Sequence, residues 1–236
     1  MAKIIDELSV FFPAFNEAGN IESAVTLAKK TLEKVAGRWE IIIVDDGSTD
    51  STPKISDDLA GRDKRIRVIH HKTNKGYGSA LQSGFYGAKY EWIVYNDADG
   101  QFDFGEITKF IERKNDADLL LGFRIKRRDS FYRLFLAKGW ALCLFLFFGS
   151  RLRDVDCGFK MVKKNVLAKI SRLESERGGM INAELAIKAK QAGFGIIQIG
   201  VTHYPRKSGR PTGAQLKVII RSFIDLARLW KKLNGF

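Results

Sequence analysis

The chain has 236 residues, 45% of them apolar and 28% charged, which is enough to bury a full core and excludes a disordered or fibrous protein. Two cysteines, Cys143 and Cys157, cannot build a disulfide framework, and the N-terminus enters a strand pattern without the apolar stretch of a secretory leader, so a reducing, cytoplasmic setting is expected. Residues 1–118 hold 16 Lys and Arg against 20 Asp and Glu, net −4, whereas residues 119–236 hold 24 against 7, net +17. The basic half is suited to phosphate or another anion.

Short β-branched runs predict strands at Glu7–Phe12, Glu40–Val44, Arg67–His70, Trp92–Asn96 and Leu119–Gly122. They alternate with helical patterns at Asn20–Val35, Pro53–Ala60, Gly78–Ala88 and Phe104–Lys114. This alternation predicts an α/β fold around a mainly parallel sheet flanked by helices. Ile41 to Val44 is apolar without a break, as expected of a central strand covered on both faces. Thr52 as cap with Pro53 at the first helical position predicts a helix start.

Further on come an amphipathic stretch at Ser130–Phe148, a strand near Gly158–Val162, a helix at Asn182–Gln191 and a strand at Gly195–Val201. A helical pattern at Ala214–Leu233 closes the chain, and no repeat or low-complexity segment interrupts it. The longest uncharged apolar run, Gly139 to Ser150, is twelve residues, whereas a spanning helix needs roughly 20, so no bilayer crossing is expected.

Ligands of parallel sheets bind at the carboxyl ends of strands, where this sequence concentrates its acids. Glu17 follows the first strand, Asp45, Asp46 and Asp50 the second, and Asp97 and Asp99 the fourth. Six carboxylates converging on one rim repel one another unless a divalent cation or cationic partners relieve them. Asp97 and Asp99, two positions apart, point the same way from an extended strand end and suit Mg²⁺ or Mn²⁺ bound to a diphosphate.

Pro13-Ala14-Phe15-Asn16-Glu17, Val44-Asp45-Asp46-Gly47-Ser48-Thr49-Asp50, Asn74-Lys75-Gly76-Tyr77-Gly78, Asp97-Ala98-Asp99-Gly100-Gln101 and Asp156-Cys157-Gly158-Phe159-Lys160 together resemble the ordered motifs of family-2 glycosyltransferases. The branch they most resemble transfers sugars to polyprenyl phosphates and includes dolichyl-phosphate mannose synthase. The resemblance runs from about Leu8 to Gly213 and implies a GT-A fold over residues 1–213. Residues 1–118 form its nucleotide-sugar and metal half and 119–213 its acceptor half, with 214–236 as a C-terminal amphipathic helix.

The resemblance also implies roles. Pro13, Phe15, Glu17, Val44 and Asp46 hold base and ribose, Asp97 with Ala98 contacts the ribose or metal, and Asp99 with Gln101 ligates the metal. Gly76 and Gly78 let backbone approach the ligand, with Lys75 near phosphate.

On the basic side, Arg124, Lys126, Arg127, Arg128 and Arg133 precede and enter an apolar, aromatic-rich helix, a combination that describes a lipid-phosphate landing site. The loop from His203 to Gly213 resembles the family's mobile active-site loop. Arg206 there is expected to stabilise the diphosphate leaving group, aided by Lys207 and Arg210 at phosphate. His203, a single imidazole, reads as structural.

A phosphate acceptor is already largely dianionic at neutral pH, so many cations and no dedicated base are expected. Glu184 stands where relatives using hydroxyl acceptors carry an acid pair, but Leu185 replaces the second acid, so Glu184 is expected to orient sugar or loop, or simply to begin a helix. Catalytic weight then falls on Asp99, Arg206 and Arg124.

The expected partners are a UDP- or GDP-hexose, a polyprenyl phosphate, an anionic membrane surface at the cytoplasmic face and, as a further option, a separate membrane subunit. Two alternatives stay open: a family-2 enzyme with another sugar, lipid or protein acceptor, and, more remotely, a basic nucleic-acid-binding domain. Acidic strand-end loops and the lack of a nucleic-acid module signature argue against the second, so no nucleic acid is expected as partner.

Overall fold

A computed structural model describes residues 4–125, 131–149, 152–176, 178–206 and 216–233, with side chains described except at 131–138, 141 and 216–222. The strands are β1 (Ile5–Ala14), β2 (Ala36–Asp45), β3 (Ile66–His70), β4 (Trp92–Asn96), β5 (Leu119–Arg124), β6 (Phe159–Lys163) and β7 (Ile196–Val201). The helices are α1 (Ile21–Val35), α2 (Thr52–Arg62), α3 (Tyr77–Gly87), α4 (Ile107–Glu112), α5 (Phe131–Phe148), α6 (Lys164–Lys169), α7 (Met180–Gln191) and α8 (Leu216–Leu233). All seven strands form one sheet in the order β3-β2-β1-β4-β6-β5-β7, which joins the acidic and basic halves.

The sheet is mainly parallel, as the alternation predicts, with β6 antiparallel to both β4 and β5. Strand alternation divides the core. Val10, Phe12, Ile41, Ile43, Val94 and Phe159 meet α1 and α4 on one face, whereas Phe11, Ile42, Val44, Ile93 and Tyr95 meet α3 and α7 on the other. With both faces covered, each fully buried Ile or Val of β2 contributes roughly 1.5–3 kcal/mol, which is why its run is unbroken. Along α1, Ile21, Val25, Ala28, Leu32 and Val35 recur at helical spacing and form the buried stripe.

Three local expectations are corrected. Ser51 is the N-cap of α2, and the Thr52 hydroxyl instead accepts the Glu17 N–H at 2.9 Å. The pattern at Phe104–Lys114 divides into a 3₁₀ turn at Phe104–Glu106, whose Asp103 carboxylate accepts the Gly105 N–H, followed by the short α4. Helix α6, directly after β6, was not predicted.

A smaller apolar cluster joins α5, α7 and α8 through Leu144, Met180, Ala183, Ile187, Leu226 and Leu229. Trp140 meets Phe223, and Phe147 meets Trp230, both edge to face. Gly149, at φ +61°, ends α5 with its N–H on Phe145 O at 2.8 Å.

Candidate active site

Strand order runs one way from β1 to β3 and the other way from β1 to β4, so the loops after β1 and β4 open onto the crevice of the switch point. Those loops carry Glu17 and the Asp97–Gln101 turn. The loop after β2 is braced to the first: Asn16, in the left-handed region at φ 56°, donates its N–H to Ser48 Oγ and accepts the Thr49 N–H on Oδ1. Asn tolerates that conformation better than a branched residue.

The six acids do not form one repelling rim. Asp45 accepts from His70 Nδ1 at 2.9 Å and from the Ser48 N–H. Asp46, 3% exposed, accepts the N–H groups of Lys75 and Gly76 at 2.9 and 2.8 Å and meets His71 Nδ1 at 2.6 Å. Asp50 accepts the Ala18 and Thr52 N–H groups. These three acids are bound up in fixing the surrounding loops. Glu17, Asp97 and Asp99 remain, and these three converge.

Arg206 unites two of them, donating to Asp99 Oδ2 at 2.7 Å and to Glu17 Oε1 at 3.2 Å. Asp97 accepts from the Tyr77 hydroxyl on Oδ1 at 2.9 Å, and its N–H reaches Gly158 O at 3.0 Å. Burial first, then the negative charge of Asp99, pushes the Asp97 carboxyl up to about 7. Burial also raises Glu17 above the ordinary carboxylate value, against the lowering effect of Asn20 and Arg206.

The Gln101 side-chain nitrogen lies 3.1 Å from both His203 Nε2 and Tyr204 O, while the Tyr204 N–H donates to Gln101 O at 2.8 Å. That amide therefore pins the segment after β7, which carries Arg206, against the acid turn. The one oxygen of that side chain, Oε1, is what Gln101 could offer a metal. His203 also packs on Phe102, in keeping with a structural part.

The other expected site residues divide by exposure. Phe15 is 40% exposed and Lys75 exposed, whereas Pro13, Val44 and Ala98 are buried, Val44 and Ala98 within the apolar core. Gly78 lacks a Cβ for a different reason from the one expected: a Cβ would lie 2.1 Å from Ser175 O, so it serves close packing against the 174–176 segment. Arg124 makes a two-pronged pair with Asp154 at 2.6 and 2.7 Å, which offsets the charge expected to face an acceptor.

Glu184 is 1% exposed and accepts the Glu174 and Ser175 N–H groups and Lys188 Nζ. It holds that segment in place and reaches no open surface. Arg128, Lys207 and Arg210, with Lys126 and Arg127, lie outside the described residues, as does the Arg133 side chain.

Tyr77 was missed as a site residue. Its only signal is an aromatic residue between two glycines at a strand-to-helix turn. Lys160 was quoted within a motif without a role, although its side chain is 1% exposed.

An acid pair joined by an arginine at the switch point of a doubly covered sheet stands where α/β proteins bind their ligands. The chain belongs to glycosyl transferase family 2, whose sequence model matches residues 9–170. It is 32% identical over 209 residues to glycosyltransferase AglD of Haloferax volcanii, covering 85% of this chain and 33% of that one. To the dolichyl-phosphate beta-glucosyltransferase of Saccharomyces cerevisiae it is 30% identical over 222 residues, covering 83% and 66%. The polyprenol monophosphomannose synthase of Mycolicibacterium smegmatis is 29% identical over 212 residues, covering 85% and 78%. The chain thus spans between a third and two thirds of the length of the first two curated relatives.

Among solved structures, glucosyl-3-phosphoglycerate synthase of Mycobacterium tuberculosis, in complex with Mn²⁺, UDP-glucose and phosphoglyceric acid, superposes with a TM-score of 0.72 at 19% identity. The match covers 95% of this chain and 80% of that one, and it establishes the expected GT-A fold.

Proposed function

We infer that this protein moves a hexose from a nucleoside-diphosphate sugar to a polyprenyl phosphate at a membrane surface. The observation that carries this reading is the Glu17–Arg206–Asp99 bridge beside buried Asp97 at the switch point. It draws further support from relatives named for sugar transfer to dolichyl and polyprenyl phosphates.

The residues present fit a divalent cation. Among the described residues no group of three or more His, Cys, Asp or Glu is placed to hold a metal. A hard cation held by two carboxylates, with substrate phosphates and water completing its shell, matches Mg²⁺ or Mn²⁺ in nucleotide sites. Asp97 and Asp99 would hold it, with Gln101 Oε1 as a further oxygen, and an Arg guanidinium on Asp99 already marks a place that takes positive charge. When bound, the ion supplies charge neutralisation at the diphosphate.

Arg206 then serves the departing diphosphate. An acceptor phosphate oxygen bonds to the anomeric carbon as the bond from that carbon to the diphosphate oxygen breaks, and the diphosphate leaves with the electron pair. No proton need be removed from a dianionic phosphate. The engagement of Glu184 in backbone hydrogen bonds accords with a reaction that lacks a base.

The acceptor's lipid tail is assigned to the side of α5 and α8. Leu142, Phe145, Leu146 and Phe147 are exposed on α5, Phe223 and Ile224 on α8, and Arg228, Lys231 and Lys232 follow. Basic residues beside exposed aromatic and aliphatic groups suit an anionic bilayer surface. Among the described residues no helix is long and apolar enough to cross a membrane.

The test is direct. Protein incubated with Mn²⁺, a panel of UDP- and GDP-sugars and a polyprenyl phosphate should yield a lipid-extractable sugar phosphate with one donor. Sugar transferred only to a water-soluble acceptor would replace the lipid reading with the alternative acceptor class.

A further inference from the structure

Lys160 stands in β6, between β4 and β5 at the heart of the sheet, with 1% of its surface exposed. Its Nζ donates to Tyr95 Oη at 2.8 Å, Val155 O at 3.0 Å, Asn182 Oδ1 at 3.1 Å and Cys157 O. All four partners are neutral oxygens. An ammonium has three hydrogens, so this cage satisfies it fully. Burying a charge without a direct counter-ion is still unfavourable, and an apolar side chain of the same length would serve packing better. The lysine satisfies four buried oxygens that an apolar side chain would leave without that donor, and so it fixes the groups that carry them.

The cage oxygens show what the lysine organises. Two are carbonyls of the turn leading into Gly158. The Gly158 carbonyl accepts the Asp97 N–H at 3.0 Å, and a Cβ on Gly158 would lie 1.9 Å from Asp97 Oδ2, so this turn sets where the Asp97 carboxylate lies. A third oxygen, on Tyr95, belongs to β4 two residues before Asp97, and the fourth, on Asn182, to α7. One ammonium thus ties the turn, the strand and the helix together behind the acid, and its charge acts on Asp97, Asp154 and Asp156.

We propose that Lys160 is a positioning residue for Asp97: it clamps the 155–158 turn so that the carboxylate is held ready for the cation of the donor complex. This rests on the donor reading above and concerns a side chain that touches neither donor nor cation.

The test is Mn²⁺ binding, followed by electron paramagnetic resonance with and without UDP, on the wild type, Lys160→Met and Tyr95→Phe, well below their melting temperatures. Supporting groups one step removed from a metal typically change its affinity 10–100-fold. Lys160→Met should weaken Mn²⁺ binding by at least about tenfold. Tyr95→Phe, which removes one cage oxygen and keeps the ring, should weaken it a few-fold. In both, KM for Mn²⁺ should move more than kcat.

A merely structural lysine would lower the melting temperature and leave Mn²⁺ affinity alone, as the core substitution Leu59→Ala is expected to do. If Lys160→Met does not fold, Tyr95→Phe decides. Wild-type Mn²⁺ affinity in a folded variant overturns the proposal by itself, whereas a wild type that binds no Mn²⁺ overturns the donor reading and the proposal with it.

Discussion

Asp97 is held in a condition that water would not impose, its carboxyl pushed up to about 7 by burial and by Asp99. An acid whose folded pKa lies above its unfolded one binds its proton more tightly in the fold, so the contribution of Asp97 to stability is fully present below about pH 4 and is lost as pH rises through 7. Without divalent cation, Asp97→Asn should therefore raise the melting temperature at pH 8 and have no effect near pH 4. Each pK unit corresponds to about 1.4 kcal/mol, so the gain at pH 8 should amount to a few kcal/mol at most. Equal effects at both pH values would show that burial of Asp97 does not strain the fold.

Asp99 and Arg206 answer to a different measurement. Asp99→Ala should reduce transfer to background with the melting temperature little changed, as followed by product extraction and a thermal scan. Arg206→Ala should lower kcat by about 10² to 10³ while weakening nucleotide-sugar binding less, as losing one aimed donor to a developing charge does elsewhere. Equal losses in rate and binding would assign Arg206 to ground-state binding.

The secondary structure was largely legible from local pattern. The apolar run of Trp92–Asn96 gave β4 its observed limits, and helical spacing marked the buried stripe of α1. What was misread depended on contacts from afar. The Thr52 hydroxyl serves Glu17, 35 residues away, and Gly78 yields to the backbone of Ser175, nearly a hundred residues on. Gly78→Ala should consequently destabilise by roughly 1–3 kcal/mol, the usual cost of overpacking. Chemical denaturation reads this, and an unchanged midpoint would mean that the 174–176 segment moves aside freely.

Cys157, at the turn before β6, is fully buried and its thiol is pushed up to about 12 by that burial. In the native protein at neutral pH an alkylating reagent should label Cys143 at most. Mass analysis showing modified Cys157 would mean that this turn opens.

Across the whole molecule the division of charge has a spatial meaning, because one sheet carries both halves. The acid turn and Arg206 meet at its middle, while α5 and α8 form an outer layer with aromatic contacts between them. Leu142 and Leu146 are 56% and 70% exposed and make none of these aromatic contacts, so replacing both with Ser should leave stability nearly unchanged. Inserting either into a bilayer interface is worth roughly 1.5–3 kcal/mol, so the pair should lower binding to anionic vesicles at least tenfold. Unchanged cosedimentation would remove this face from membrane contact.

The sequence by itself determined the strands, most of the helices, the fold class and the acids and arginine of the site, because periodicity, glycine placement and ordered motifs are local properties of the chain. Tertiary structure alone decided which acids are available. Asp46 and Glu184 look as well suited to chemistry on paper as Asp99, yet each is claimed by backbone N–H groups of another segment, 29 and 30 residues on for Asp46 and 9 and 10 residues back for Glu184. The antiparallel course of β6, the Tyr77 hydroxyl on Asp97 and the cage around Lys160 likewise arise only when separated strands are laid side by side. A hydrogen bond is decided by distance in space, and the order of residues does not record it.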